Sequence, residues 1–383
     1  MRFRIGAGLG LLVLIVSQSA VQVNAQQNAS APAAASKAAD AAPSGSNAPA
    51  AVSAGAADPA IPVGTRITTQ NWSQYAQYMS DGVAAFFQGS YFWKMPPQAG
   101  IDVGPTIINP LPKTYVDATA KYADQVSLTE LPDGGLNIAN YHGGVPFPNP
   151  QEPHRAWKVL ADVWYRYTPN ITVAGRSAGC TLDKEGNVRC TIGTVVYRQL
   201  GYNTDPGVPQ TVAGAEGKYS SLWFMIDEPE EQRYTASLTI AYADPSRSED
   251  LYAFIPALRR YQPVSTAARC STTEGVDITQ EDYRGGFDSN ITQFKAEFLG
   301  EKKILALILP GKMPAGRFPN DYEMPMGWPS ESWGKWQVRD AYVISISKLP
   351  AYASGYCYGK RVMYVTSTRR RRCRCGKSST TRT

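Results

Sequence analysis

The sequence predicts an α+β protein in which strands dominate, built as one long curved antiparallel sheet wrapped around a few early helices. Two observations carry this. Apolar residues recur at helical spacing only before about residue 168, and from Ile171 onward the period changes to two. The composition agrees, with 22 Tyr and 8 Trp in 383 residues, a supply of aromatic side chains that suits pleated surfaces. No internal repeat is visible, and one large domain explains the order better than two.

The amino end stands apart from the body. Met1 to Ala25 has the layout of a secretory signal: Arg2 and Arg4, an apolar core from Ile5 to Val16, then Val23-Asn24-Ala25 as small residues for cleavage after Ala25. The apolar run is too short to span a bilayer. Residues 26–60 are mostly Ala, Ser, Pro, Asn and Gln, which bury too little apolar surface to offset ordering entropy, so they read as a flexible linker. A folded domain is expected over 61–365 and a basic tail over 366–383.

Net charge follows the same division. The formal total is +6, but Arg2 and Arg4 supply two positive charges and the tail seven more, which leaves residues 26–365 at −3. A mildly acidic body offers no electrostatic footprint for nucleic acid.

Within the body, Asn71-Trp72-Ser73-Gln74 resembles a capping box, and Tyr75, Tyr78, Met79, Val83, Phe86 and Phe87 then follow at helical spacing up to Gly89. One amphipathic helix is expected there, its aromatic face packed on a sheet. A second helix is expected over Lys113–Asp124. Pro132-Asp133-Gly134-Gly135 joins two short strands as a hairpin. Trp157, Leu160, Ala161, Trp164 and Tyr167 mark a third helix from about His154 to Thr168. The alternation from Tyr234 to Tyr242 is a half-buried strand, Asp244-Pro245-Ser246-Arg247 turns the chain, and Leu251–Ile255 returns. Apolar runs at Ile304–Leu309, Val338–Ile346 and Val362–Val365 are expected to extend the same sheet.

Between the hairpin and the third helix lies Tyr141-His142-Gly143-Gly144-Val145-Pro146-Phe147-Pro148-Asn149-Pro150. Three alternating prolines fix φ and remove donors, so the stretch is a stiff extended strap behind a glycine hinge, placed to seal an edge or mouth of the fold.

Six cysteines are present. Cys180 and Cys190 flank a hydrophilic turn and read as a hairpin staple in an exported chain. Cys270 and Cys357 are candidates for a long-range bridge, although sequence alone leaves connectivity open. No CxxC or HxxxH spacing supports a metal site.

Catalytic signals are weak. Gly175-Arg176-Ser177-Ala178-Gly179 matches the G-x-S-x-G string, but the elbow needs a helix after it and a histidine downstream. Here a cysteine hairpin follows, and His142 and His154 both lie upstream, so the string reads as a turn. Each histidine reads as structural, His154 as a polar cap at a helix start. Asp227-Glu228 with Glu230-Glu231 around Pro229 reads as a solvated turn. No Gly-rich nucleotide fingerprint or cofactor motif is present.

Met79-Ser80-Asp81-Gly82, Val103-Gly104-Pro105-Thr106, Gly144-Val145-Pro146-Phe147-Pro148-Asn149-Pro150 and Lys360-Arg361-Val362-Met363-Tyr364-Val365 resemble, in the same order, segments of domain-of-unknown-function family 1329. These are exported Gram-negative proteins often labelled outer-membrane lipoprotein-sorting-protein-like. The resemblance implies an open half-barrel like that of periplasmic lipoprotein carriers, with helices plugging its concave side. It also implies an outer-membrane protein partner and a resistance-nodulation-division-type exporter as company, and it brings no catalytic residues. The end of the chain departs from the family pattern: Thr366-Ser367-Thr368 leads into Arg369–Arg372, Cys373, Arg374 and Cys375. A frameshift or premature end would explain this; a genuine basic tail for anionic lipid or polyanions is the alternative.

The functional expectation is a periplasmic protein, free or associated with the outer membrane, that binds or carries a lipid or other hydrophobic ligand without covalent chemistry. Phe86, Trp93, Phe147, Trp164 and Trp223 are the candidate contacts. An adaptor for an outer-membrane protein, or an envelope hydrolase using Ser177, are the alternatives.

Overall fold

The computed structural model describes residues 53–54, 61–90, 94–108, 110–182, 185, 187–265, 269–271, 279–308, 328–329 and 334–366. Signal segment, most of the linker, basic tail and Trp93 lie outside them.

Four two-residue strands open the fold: β1 (Ser53–Ala54), β2 (Arg66–Ile67), β3 (Ile101–Asp102) and β4 (Ile107–Ile108), paired β1 with β4 and β2 with β3. The helix expected across Tyr75–Phe87 is two pieces. A 3-10 turn covers Trp72–Tyr78, Met79 is extended, and α1 (Asp81–Gln88) starts afresh with the Ser80 hydroxyl accepting from Val83 N–H at 3.4 Å. Asn71 makes no cap bond; its side chain accepts from Thr68 N–H instead, so the apparent capping box belongs to the preceding turn. Gly89, left-handed at φ 74°, closes α1 as anticipated.

Helix α2 (Lys113–Tyr122) is followed by the hairpin of β5 (Ser127–Glu130) and β6 (Leu136–Ala139). Helix α3 (Arg155–Trp164) ends four residues earlier than its apolar spacing suggests. His154 precedes it with φ 64° and no side-chain cap bond, so it does not cap the helix as expected. Ala156, Trp157, Val159, Leu160, Ala161 and Trp164 are all buried, which makes α3 the hub of the larger core. Each large apolar side chain there contributes about 1.5–3 kcal/mol of burial.

Six strands then form one antiparallel sheet in order of sequence: β7 (Ile171–Leu182), β8 (Val188–Gln199), β9 (Lys218–Glu228), β10 (Ala236–Tyr242), β11 (Asp250–Ile255) and β12 (Arg260–Pro263). After a short helix α4 (Tyr283–Gly286) come β13 (Phe294–Ile308) and β14 (Lys335–Lys348), then the turn α5 (Pro350–Ala353) and β15 (Arg361–Thr366). These last strands do not extend the six-stranded sheet, as the apolar runs had suggested. They form a separate three-stranded sheet, β13-β14-β15. The fold is α+β and strand-dominated, with antiparallel pairing throughout the named strands.

The larger core gathers α3 with Phe287, Ile291 and Phe294, Ile344 and Ile346 of β14, and Tyr219 and Ala241 from one end of the six-stranded sheet. A second cluster packs Phe86, Phe87, Met79 and Ile101 around Trp328, whose indole N–H donates to Gly100 O at 2.8 Å.

Both proposed disulfides are formed. Cys180–Cys190 closes the β7–β8 hairpin, and Cys270–Cys357 bridges 87 residues. Beside the second bridge, Arg269 is 9% exposed and pairs with Glu249, Glu281 and Asp288. Three carboxylate oxygens and a backbone carbonyl around one guanidinium satisfy charges that would otherwise cost several kcal/mol to bury. Burial pushes Glu249 up to about 7 against the pull of Arg269.

Candidate functional site

Two surfaces carry features that packing alone does not use. The first is one face of the six-stranded sheet. Val173 stands opposite Val196, Val196 opposite Trp223, Trp223 opposite Leu238, Leu238 opposite Tyr252, and Tyr252 opposite Pro263. Directly opposed residues share a face, so this is a continuous apolar row across all six strands. Two residues further along, Thr194, Met225, Ala236, Phe254 and Tyr261 form a second row on the same face. Val173 is 51% exposed and Tyr261 75%, while Val196, Trp223, Leu238 and Tyr252 are half-buried. The opposite face is covered at one end, where Tyr197, Gln199, Thr239 and Ala241 are buried, Gln280 donates to the Thr239 hydroxyl, and the Arg284 guanidinium lies 5.8 Å from the Tyr197 ring; further along it, Leu222 and Phe224 are half-buried.

The second surface surrounds the proline strap, which is fastened rather than hinged. Val145 N–H donates to Thr119 Oγ1 at 2.8 Å, Phe147 N–H to Asp162 Oδ1 at 2.9 Å, and the Tyr141 hydroxyl to Gly144 O at 2.9 Å. Gly144 has φ 80°, and a Cβ there would sit 2.4 Å from Thr119 N, so this glycine serves close packing on α2 instead of motion. Burial holds the Asp162 carboxyl well above the usual carboxylate range.

Under the strap the rings of Tyr141, Tyr165, Tyr202 and Tyr219 pack on one another, tilted or edge to face, and Tyr115 packs edge on to Tyr167. Tyr141 lies 4.2 Å from Tyr165 and 4.8 Å from Tyr202 between ring centroids. Desolvation raises the Tyr115, Tyr141, Tyr165 and Tyr219 hydroxyls above their ordinary value, so they stay protonated; Tyr115 donates to Tyr165 O and Tyr219 to Trp164 O. Burial and the neighbouring Arg284 lower Arg166 to about 10. Beside this cluster opens a cleft of about 280 Å³ between α2, His142 and residues 203–210.

The expected contact residues are scattered by the fold. Phe86 is buried in the second cluster, 6.5 Å from the Trp328 ring. Trp164 is buried in the larger core under the Arg284 guanidinium. Phe147 is half-buried on the strap beside Lys158. Trp223 sits in the middle of the open apolar row, and Trp93 lies outside the described residues. Ser177 is exposed and paired with Gly193 inside β7, not in a turn as its motif had suggested. The register shifts between Ala174 and Ser177, and Arg176 adopts φ 54°, which marks a β-bulge. Strand continues after it to Leu182, so the strand-to-helix elbow of a hydrolase is not formed. Asp227 accepts from the Thr194 hydroxyl and Glu228 pairs with Arg176, both still within β9, while Glu230, paired with Arg233, and Glu231 lie in the solvated turn expected of all four.

An antiparallel, strand-dominated body with an open apolar sheet face and a proline strap clamped over a tyrosine cluster defines the class. The chain belongs to the family described as "Protein of unknown function (DUF1329)", which matches residues 66–368. Among solved structures it is similar to an outer membrane lipoprotein-sorting protein domain from Vibrio parahaemolyticus, at 13% identity and TM-score 0.35, covering 55% of this chain and 66% of that one. It therefore spans just under two thirds of that structure's length. A DUF1329 family protein from Desulfovibrio piger matches at 12% identity and TM-score 0.36, over 56% of this chain and 69% of that one. A LolA superfamily protein from Nitrosomonas europaea matches at 14% identity and TM-score 0.24, over 51% and 55%. No curated protein matches the chain.

Proposed function

We propose that this is an exported envelope protein that binds and carries a lipid or other hydrophobic ligand without covalent chemistry. The observation that carries the proposal is the apolar row from Val173 to Pro263. A sheet face with Trp223, Leu238, Tyr252, Met225 and Phe254 half-covered retains apolar surface that an acyl chain removes from water at about 25 cal/mol per Å². Trp223 is the central contact. The amino-terminal signal pattern supports a periplasmic location, and the family's company supports an outer-membrane protein and a resistance-nodulation-division-type exporter as transfer partners.

The test is native mass spectrometry of protein purified gently from periplasm, followed by displacement of a fluorescent fatty acid. Co-purified lipid that organic extraction removes, and displacement weakened at least about fivefold by Trp223→Ala, is the expected result. An empty protein that displaces nothing sinks the carrier. Esterase activity lost in Ser177→Ala would install the hydrolase in its place.

A further inference from the structure

We infer that the cleft beside the strap is a second binding site, one that takes a neutral polyhydroxylated ligand the size of a single sugar ring. The inference does not rest on the carrier reading, because its residues lie on other elements.

Its walls come from three places. Thr114, Ala118 and Tyr122 recur every four residues and so line one face of α2. His142 closes one end with its ring 5.4 Å from that of Tyr122. Asn203, Thr204 and Asp205 face them from the loop after β8. The loop is held rigidly. Asn203 N–H donates to Gln210 O, Gln210 Nε2 to His142 O at 2.7 Å, and Asp205 accepts from the Tyr167 hydroxyl at 2.9 Å and Asn170 N–H at 2.7 Å. Pre-organisation of this kind lowers the ordering cost of binding.

The chemistry selects the ligand by elimination. Among the described residues no Lys or Arg lines the cleft, so a phosphate or carboxylate would meet only the Asp205 charge there. Both Asp205 oxygens are already engaged, which disqualifies it as the nucleus of a cation site. Apolar lining is confined to Ala118, Val208 and ring surfaces, so a hydrocarbon would strip polar groups of water with no return. Hydrogen-bonding capacity, in contrast, is left over. Thr114 lines the cleft and its buried Oγ1 has no hydrogen-bond partner among the described residues, and the Thr204 hydroxyl and the His142 imidazole make no hydrogen bond to them either. Unused donors and acceptors beside two aromatic rings, in a volume at the small end of the roughly 300–1,000 Å³ usual for ligand sites, match a sugar's hydroxyls and apolar ring face.

The ring could belong to a free saccharide or to the head of a glycolipid. Isothermal titration of the full mature chain with methyl and octyl glycosides of glucose, galactose, mannose and N-acetylglucosamine, beside glucose 6-phosphate and glucuronate, separates the cases. Saturable millimolar binding of at least one neutral methyl glycoside is expected, weakened about fivefold by Thr114→Val, the loss of one hydrogen bond. Equal affinity for its octyl partner identifies a free saccharide; tenfold tighter octyl binding that Thr114→Val weakens equally identifies a glycolipid head. Thr204→Val, at a half-exposed position, gives the same reading if Thr114→Val fails to fold. No saturable binding by any neutral glycoside, preference for the charged sugars, or binding indifferent to both threonines overturns the inference.

Discussion

The two large sheets handle their apolar residues in opposite ways. In β14 the sequence Val338, Ala341, Tyr342, Ile344 and Ile346 is buried at 7% exposure or less, because β13 and β15 flank it and α3 lies across it. In β9 the run Leu222, Trp223, Phe224 and Met225 is half-buried on both faces, although β9 is also an interior strand. Central position in a sheet therefore does not decide burial; what decides it is whether another layer covers the face. The three-stranded sheet is the protein's packed half, and the six-stranded sheet keeps apolar surface available.

The difference is sharpest in the two disulfides, one in each half. Cys270–Cys357 closes a loop of 87 residues and sits against the Arg269 cluster, so its removal by paired Cys→Ser substitution is expected to cost about 4–5 kcal/mol in urea unfolding. Cys180–Cys190 closes only 10 residues at the tip of the open sheet, and the same change there costs about 3 kcal/mol at most. Equal losses would break the contrast between the halves.

Single side chains test it next. Ile344→Ala, at 0% exposure in β14, is expected to destabilise by about 2–5 kcal/mol. Trp223→Ala removes a larger side chain, yet its only half-buried site predicts a smaller cost than Ile344→Ala, read by thermal or urea unfolding. A Trp223 cost matching that of Ile344 would mean the row is core.

The smallest effect lies under the strap. Because burial raises the Asp162 pKa, the folded chain keeps a proton that the unfolded chain has released between the ordinary carboxylate value and the raised one. Stability contributed by this group is present at low pH and lost as pH rises through that window. Asp162→Asn preserves the acceptor for Phe147 N–H and removes the titration, so at pH 8 it should raise Tm by about 2–4 °C and flatten the Tm–pH curve. A lower Tm at pH 8 would show the carboxylate to be stabilising.

Local pattern made much of this architecture legible. The Pro132–Gly135 turn, the α3 face and the alternating β10 strand each depend on neighbours in sequence, as does the Cys180–Cys190 staple, while Cys270 and Cys357 were the remaining candidates for a long-range bridge. What failed was long-range. Period-two runs do not say where pairing stops, so the β12–β13 break was invisible. The strap looked hinged because its anchors, Thr119 and Asp162, lie on α2 and α3. The cleft was missed for the same reason: Thr114, His142 and Thr204 meet only in the fold, and the one local signal was the Thr114–Ala118–Tyr122 spacing on α2.

The bulge in β7 bears on a different hazard. Among the described residues β7 and β12 are the outer strands of a sheet that is apolar on an open face, the geometry on which further strands add and fibrils grow. At Gly175-Arg176 the extra residue twists the margin out of register, and Arg176 is tied across to Glu228. On the far margin, Arg260 and Pro263 interrupt the donor row with charge and a missing N–H. The string that reads like a hydrolase's nucleophile loop thus interrupts the regular margin on which a further strand would add.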